Sequence, residues 1–184
     1  MSDTVALIQD WQAGNEGAAE ALYNAHRSDV YRLAYALLGN AEDAEEVAQD
    51  ALTYALVNIR HYAPERASFA TWLHTITVSR CRDRQRRKRL VSFSLTEWLG
   101  LGRDLSDPAP GPEASAIEAE RREALLQAMQ ELHPAVREAL VLRYWAGHTF
   151  REIAEIMDCP LPTAQSRVRL GYQQLRAALR EERA

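Results

Sequence analysis

The sequence predicts an all-α fold of two small helical domains joined by a flexible linker, and the second domain contains a helix-turn-helix. Two observations support the division into domains, and the helix-turn-helix is argued from its own motif below. Apolar residues recur at steps of three and four along most of the chain, which is the period of an amphipathic helix. The segment "DLSDPAPGPEAS" carries three prolines and no helical period, which is typical of a linker. We therefore divide the chain into residues 1–89, 90–116 and 117–184.

The helices of the first domain are marked by residues that end or begin a helix. A first apolar stripe ends at Gly39, and Asn40 is placed to cap the following helix. Pro64 interrupts the pattern, and Ser68 is placed to cap a third helix. The β-branched run "TITV" would also suit a strand, but the apolar spacing around it favours a helix. The three stripes are Leu22, His26, Val30, Leu33 and Leu37; Ala44, Val47, Ala51, Ala55 and Ile59; and Phe69, Trp72, Leu73 and Ile76.

The second domain holds the strongest local motif of the chain. Pro134 opens the helix "PAVREALVLRYWA", which Gly147 ends. Thr149 and Glu152 then form the capping box T-x-x-E, followed by a short helix, the tight turn "DCPL" and a helix opened by Pro162. Two helices at this spacing predict a helix-turn-helix. The inward stripe of its second helix is Ala164, Val168, Gly171 and Leu175.

The second helix of this motif has the charge expected of a DNA-reading helix. Residues 161–180 hold four arginines and no acidic side chain. Such a helix would lie in the major groove with its polar N-terminal residues near base edges, where glutamine pairs with adenine and arginine with guanine. An ordinary helical hairpin with a solvated basic face is the alternative. The candidate DNA-binding residues are Thr163, Gln165, Ser166, Arg167 and Arg169.

Charge is distributed unevenly along the chain. The stretch "RCRDRQRRKR", residues 80–89, holds seven basic side chains and one acidic one, although the whole chain has a formal net charge of −4. Residues 1–60 hold ten acidic and three basic side chains. A polyanion would therefore meet local basic surfaces, and a cationic partner would meet an acidic N-terminal half. Taken alone, the basic run would also suit a solvated helix end or a localisation-type signal.

Three segments resemble, in their order and spacing, an extracytoplasmic-function sigma factor, a promoter-specificity subunit of bacterial RNA polymerase. "DAEEVAQDAL" (43–52) is similar to the acidic polymerase-binding helix of that family. "FATWLHTITVSRCRDRQRRKR" (69–89) is similar to the helix that meets the −10 element. "LHPAVREALVLRYWAGHTFREIAEIMDCPLPTAQSRVRL" (132–170) is similar to the −35-binding domain. The resemblance covers nearly the whole chain outside the linker.

The resemblance implies a role for each segment. Core polymerase binding is assigned to Asp43, Glu46 and Asp50, for which a solvated acidic face is the alternative. The loop before the basic helix is implied to hold an unstacked base, and the basic helix to meet the promoter where it melts. The residues implied in −10 recognition and melting are His61, Tyr62, Glu65, Arg66, Ser68, Arg80, Arg84, Arg86, Arg87 and Lys88. The implied partners are the largest subunits of core RNA polymerase, promoter DNA and an anti-sigma protein.

The recognition helix departs from the usual pattern of the family, which reads close to G-T-V-K-S-R. Here "PTAQSR" has Pro162 for the glycine and Gln165 for the lysine. Gly171 and Tyr172 stand where the family often has Ala-Arg. The helix is therefore less cationic than usual, and we expect an unusual affinity or preference for the −35 element. Gly171 should also weaken the helix by about 1 kcal/mol relative to alanine.

Other classes of protein find little support in the sequence. The five histidines have no metal-ligand spacing, and we find no glycine-rich phosphate loop or nucleophile elbow. The distant cysteines Cys81 and Cys159 fit a reducing compartment. We expect a cytoplasmic, non-enzymatic protein with no cofactor, no metal and no membrane insertion. A stand-alone helix-turn-helix regulator and a protein-interaction adaptor are the alternative functions.

Overall fold

A computed structural model describes residues 2–99 and 116–181, and the side chains of residues 4–88 and 123–180. The predicted all-α fold is confirmed. The first domain (residues 2–99) contains α1 Ser2–Gln12, α2 Glu16–Leu38, α3 Ala41–Val57, a 3₁₀ turn Ile59–His61 and α4 Phe69–Leu99. The second domain (residues 116–181) contains α5 Ala116–Glu131, α6 Pro134–Tyr144, α7 Phe150–Ile156 and α8 Leu161–Glu181.

The predicted caps determine where the helices of the first domain begin and end. Gly39 adopts a left-handed conformation with φ 69° after α2, a region that glycine enters without steric cost. The Asn40 side chain accepts a hydrogen bond from the backbone of Asp43, and the Ser68 hydroxyl accepts one from the backbone of Thr71. The run "TITV" lies inside α4. The helical interpretation of that run is therefore confirmed.

Helix α4 extends beyond the segment assigned to the first domain by the sequence. It continues to Leu99, ten residues into the predicted linker. The residues from 90 to 99, "LVSFSLTEWL", contain neither proline nor glycine, so nothing in them interrupts the backbone hydrogen bonds of a helix. The proline-rich part of the linker lies outside the described residues.

The first domain has a core of its own. Helix α1 is attached to it by the Trp11 indole, which donates a hydrogen bond to the Leu56 carbonyl at 2.9 Å. His26 packs edge-on against Phe69 with ring centroids 5.0 Å apart, as its place in the apolar stripe predicted. The core contains Ile8, Leu22, Val30, Ala48, Ala51, Leu52, Ala55, Ile59, Phe69, Leu73 and Ile76.

A second core is shared by the two domains. Helix α4 packs against α7, and α2 packs against α5 and α6. The first domain contributes Leu33, Ala34, Ala36, Leu37, Ala44, Val47, Val78 and Cys81. The second contributes Met129, Leu132, Ala139, Leu140, Val141, Leu142, Ile153, Ile156, Met157, Ala164 and Val168. The domains are therefore closed against each other, an arrangement that the sequence did not predict.

Polar contacts from α4 accompany this shared core. The Thr71 hydroxyl donates to the Glu152 carboxylate at 3.0 Å, and His74 Nδ1 lies 2.7 Å from Nε2 of His148. The histidine pair is buried, with exposed fractions of 9% for His74 and 5% for His148. One ring must donate and the other accept, so this contact requires a neutral acceptor nitrogen. The interface thus has specific polar partners as well as apolar area.

Gly171 explains how closely α8 approaches α6. A Cβ atom placed on this residue would lie 3.0 Å from Val136 Cγ1 and 3.3 Å from Leu140 Cδ1. The glycine that costs helix propensity is therefore the residue that allows the two helices to pack at this distance. The sequence predicted the inward position of Gly171 but not this reason for it.

The described helices include none that is both long and apolar enough to cross a bilayer.

We predict that acid weakens the closed structure through the histidine pair. Burial lowers the pKa of His74 to about 4 from 6.5, with a further contribution from His148; Asp29 opposes the shift and His26 adds to it. Burial also lowers the pKa of His148, against the nearby Glu152. Because the folded pKa lies below the unfolded one, this stabilisation is complete above about pH 6.5 and is lost as the pH falls towards 4.

The measurement is urea unfolding between pH 7 and pH 4.5. For His74 alone we expect a loss of at most about 3 kcal/mol over this range in the wild-type protein. His74→Gln, which keeps a hydrogen-bonding side chain without titrating, should show a flatter pH profile. The exposed His61→Gln serves as the control and should follow the wild type. Equal profiles for His74→Gln and wild type would contradict the prediction.

Candidate nucleic-acid interface

The second domain contains the predicted helix-turn-helix. Helix α7 begins with the complete capping box: the Thr149 backbone donates to the Glu152 carboxylate at 2.8 Å, and the Glu152 backbone donates to the Thr149 hydroxyl at 3.3 Å. Burial acts to raise the pKa of Glu152, but hydrogen bonds from Thr149 and Thr71 outweigh it and hold this pKa below its ordinary value. In the turn, Asp158 has φ 47°, a left-handed conformation that aspartate tolerates better than most residues.

The recognition helix α8 presents the predicted residues away from the core. Ala164, Val168 and Gly171 are buried against the rest of the domain. Gln165, Ser166 and Arg169 are exposed, and Thr163 and Arg167 are half-buried at the edges of that face. All five candidate residues therefore lie on or beside one accessible face in the first half of the helix.

Aromatic side chains continue this face towards the C-terminal end of α8. Tyr172 follows Gln165 and Arg169 at helical spacing, and its ring centroid lies 6.2 Å from that of Tyr144 on α6. Tyr144, Trp145 and Tyr172 are 66%, 60% and 51% exposed. The sequence singled out Tyr172 only as a departure from the family pattern. It missed Tyr144 and Trp145, whose signal was a pair of large aromatics two residues before the predicted helix-ending Gly147.

The basic end of α4 is held by carboxylates of the first domain. Arg84 contacts Asp43 at 2.8 Å and Glu46 at 2.7 Å, and Lys88 also pairs with Asp43. Burial acts to raise the pKa of Asp43, but hydrogen bonds from Lys88 and Arg84 outweigh it and hold this pKa below its ordinary value. Two of the predicted DNA-contacting cations are therefore already paired with carboxylates of the same chain.

The other predicted cations of α4 differ in accessibility, and Arg80 is half-buried. Arg80 lies over the Tyr54 ring, 4.8 Å from its centroid. Arg86 pairs with Asp83 on its own helix at 3.0 Å and is 74% exposed, so this pair contributes little to stability. Arg87 is also exposed. Arg86 and Arg87 thus present the most accessible positive charge among these residues.

The structure separates the three acidic residues assigned to polymerase binding. Glu46 and Asp50 are exposed on the outer face of α3. Asp43 is only 4% exposed, because it turns towards Arg84 and Lys88. A stripe at steps of three and four spans a broad arc of a helix, and here one edge of that arc is covered by α4.

The loop before α4 combines exposed polar residues with an internal support. His61, Glu65, Arg66 and Ser68 are exposed. The Tyr62 ring instead packs on Phe69 and Trp72, with centroids 5.4 and 5.5 Å apart, and its hydroxyl donates to the Ala67 carbonyl at 3.2 Å. Tyr62 therefore holds the shape of this loop, while its neighbours face the solvent.

Sequence reasoning missed one cation that the structure places between the domains. Arg82 makes a forked ion pair with Glu138 on α6, with distances of 2.7 and 3.1 Å to Oε2 and 3.1 Å to Oε1. Glu138 interrupts the otherwise mainly apolar run "VREALVL", and a carboxylate at such a position signals a buried partner. Within the described parts of the chain, no group of histidine, cysteine or acidic side chains is arranged to hold a metal ion.

We predict that Asp43 stabilises the fold. Asp43→Asn removes a buried charge that two cations contact, and should lower the free energy of unfolding by about 1–3 kcal/mol. Asp50→Asn, the control on the exposed face of the same helix, should change it by less than about 0.5 kcal/mol. Urea titration of both variants measures the difference, and equal midpoints would show that the Asp43 contacts are not stabilising.

Comparison with known protein families identifies a family for each of the two domains. Residues 22–91 match the family model of Sigma-70 region 2, and residues 122–175 match that of Sigma-70, region 4. The chain is 29% identical over 179 residues to the ECF RNA polymerase sigma factor SigW of Bacillus subtilis, covering 95% of both proteins. It is 33% identical over 160 residues to the ECF RNA polymerase sigma factor SigE of Mycolicibacterium smegmatis, covering 85% of this chain and 60% of that protein.

Solved structures share the fold. The sigma factor RpoE of Bartonella quintana, in complex with the anti-sigma factor NepR, superposes with a TM-score of 0.70 at 21% identity, over 84% of this chain and 91% of RpoE. CnrH, in complex with the cytosolic domain of CnrY, superposes with a TM-score of 0.69 at 20% identity, over 98% of this chain and 99% of CnrH. With both sigma-70 regions in order and relatives matched along nearly the whole chain, the protein belongs to the extracytoplasmic-function sigma factors, which direct RNA polymerase to promoters.

Proposed function

We propose that this sigma factor reads the −35 element with the exposed face of α8. The observation that carries the assignment is the common accessible face of the five candidate residues Thr163, Gln165, Ser166, Arg167 and Arg169. A helix of this kind enters the major groove by its N-terminal half, where glutamine and arginine side chains can read base edges. Gln165 is suited to adenine, and Arg167 to guanine.

The −10 element and the melted strand are assigned to the first domain. The exposed Arg86 and Arg87 are available to neutralise phosphates. Arg80, Arg84 and Lys88 extend the same basic helix. The exposed side chains of the loop, His61, Glu65, Arg66 and Ser68, are available to an unstacked base, and Tyr62 supports them from beneath.

Core polymerase binding is assigned to the outer face of α3. Glu46 and Asp50 are exposed there, and a carboxylate face of this kind suits a basic partner surface. Asp43 acts indirectly in this proposal, because its contacts with Arg84 and Lys88 fix α3 against α4.

In this role the protein acts by binding, and the polymerase carries out the bond-making step. The protein works in the cytoplasm, where the polymerase and the chromosome meet. The complexes of RpoE with NepR and of CnrH with CnrY support an anti-sigma partner for this chain as well.

Transcription with purified core polymerase tests the function. Promoter-dependent initiation should appear only when this protein is added. Glu46→Lys combined with Asp50→Lys should weaken core binding, measured by titration, without changing helicity. The matched control is Glu123→Lys with Glu131→Lys, which reverses two exposed charges of α5 and should bind core normally. A footprint on DNA without core enzyme would instead indicate a stand-alone regulator.

Arg167→Ala should lower initiation at promoters that depend on the −35 element. A bidentate contact with a base edge corresponds to about 1–3 kcal/mol of discrimination, which should vanish at the base pair concerned. Arg180→Ala, which removes an exposed arginine in the last turn of α8, is the control and should retain the sequence preference. A uniform loss across −35 sequences would assign Arg167 to phosphate contact, and no loss on any promoter would contradict the proposed orientation of α8.

A further inference from the structure

Arg82 and Glu138 form a forked ion pair that joins the two domains. The guanidinium approaches both carboxylate oxygens, and the shortest contact, Nη2 to Oε2, measures 2.7 Å. Such forked pairing is the geometry with which arginine also binds a phosphate group. Glu138 therefore presents to Arg82 the same kind of acceptor that a DNA backbone presents.

The pair cannot exchange partners while the domains are closed. The Glu138 side chain is 8% exposed and that of Arg82 is 41% exposed. Departure of Arg82 would leave a buried carboxylate without its cation, which is unfavourable unless water can reach it. Burial raises the pKa of Cys81, the neighbour of Arg82 on α4, and the nearby Glu138 adds to this shift, so α4 lies close to the Glu138 carboxylate. Separation of α4 from α6 is therefore the step that would hydrate Glu138 and release Arg82.

Arg82 differs in this respect from its neighbours in the basic helix. Arg84 and Lys88 pair with Asp43, and Arg86 pairs with Asp83, all within the first domain. Among these pairs, the one between Arg82 and Glu138 joins the two domains. Domain separation would therefore change the charge available on α4 at this position.

The proposed function requires the two domains to separate. The inference of domain separation therefore rests on that function. Elements named −35 and −10 lie about 25 base pairs apart, which is about 85 Å of duplex DNA. A compact chain of this length has a diameter of only about 40 Å. The closed molecule is thus too small to contact both elements at once.

We propose that Arg82 is a promoter-contacting residue and that Glu138 occupies, in the closed chain, the place that a DNA phosphate takes on it after the domains separate. Glu138 keeps Arg82 from binding DNA in the free protein. When the two domains separate on the polymerase, Arg82 is released at the place where the basic helix meets the promoter. Arg82 lies in the segment that resembles the −10 helix but was not among the residues named for DNA contact, and Glu138 was assigned no role.

The test compares the salt dependence of DNA binding in two states of the full-length protein. The free chain is titrated with a short duplex that lacks promoter elements, and the holoenzyme is titrated with a promoter fragment. The variants are Glu138→Gln and Arg82→Gln. Glu131→Gln removes one exposed negative charge from α5 and controls for net charge. Circular dichroism checks that each variant is folded.

In the free chain, Glu138→Gln should steepen the slope of log affinity against log salt by about 0.9, the value for one added phosphate contact. Arg82→Gln and Glu131→Gln should leave the slope of the free chain unchanged. In the holoenzyme the order reverses: Arg82→Gln should make the slope shallower by about 0.9, and Glu138→Gln should match the wild type.

An unchanged free-chain slope in Glu138→Gln, or an unchanged holoenzyme slope in Arg82→Gln, would overturn the inference. If Glu138→Gln does not fold, the Arg82→Gln variant is sufficient to test the inference. Only the proposed exchange makes Arg82→Gln change the salt slope in the holoenzyme and not in the free chain. Core-dependent initiation with unchanged slopes would leave the proposed function intact. A steeper free-chain slope without core-dependent initiation would support the masking of Arg82 and refute the sigma-factor role.

Discussion

Helix α4 has to satisfy two packing surfaces at once, and the arrangement of the other helices depends on it. Phe69, Leu73 and Ile76 face the core of the first domain, whereas Val78 and Cys81 enter the core shared with the second. A helix apolar on one stripe alone could serve only one of these surfaces. The basic residues begin at half-buried Arg80, and from Arg86 to Lys88 the helix is exposed.

The closed arrangement also explains how an acidic protein carries a strongly basic helix. Its cations are distributed among carboxylates that come from α3, from α4 itself and from α6. Each pair limits the positive charge that a polyanion meets in the free chain. Net charge is therefore a poor guide to how this molecule binds polyanions. What matters is which cations are paired with carboxylates, and which helix supplies each carboxylate.

Much of the local structure could be predicted because it depends on residues only a few positions apart. The caps at Asn40 and Ser68 and the capping box at Thr149 involve partners three residues away. The outward face of α8 followed from its apolar period in the same way. The sequence of a recognition helix therefore carried most of what was needed to place its candidate residues.

The long-range contacts could not be predicted by the same reasoning. Arg84 meets Asp43 across 41 residues, and Arg82 meets Glu138 across 56. Helical periodicity gives the direction of an apolar face but not the identity of the face that it meets, so the shared core was missed. Asp43 was assigned to a partner surface by the family resemblance and by its place on the same helix face as Glu46 and Asp50. Its burial depends on cations from another helix.

The close packing at Gly171 has a consequence for how this protein distinguishes promoters. The side of α8 opposite its candidate DNA-binding face rests directly on Val136 and Leu140, without an intervening side chain. The position of the helix is thus determined from behind, by residues that lie outside its candidate DNA-binding face. A substitution at the contact with Val136 and Leu140 would tilt the whole candidate DNA-binding face. Related proteins could therefore differ in promoter preference although the side chains of that face stay the same.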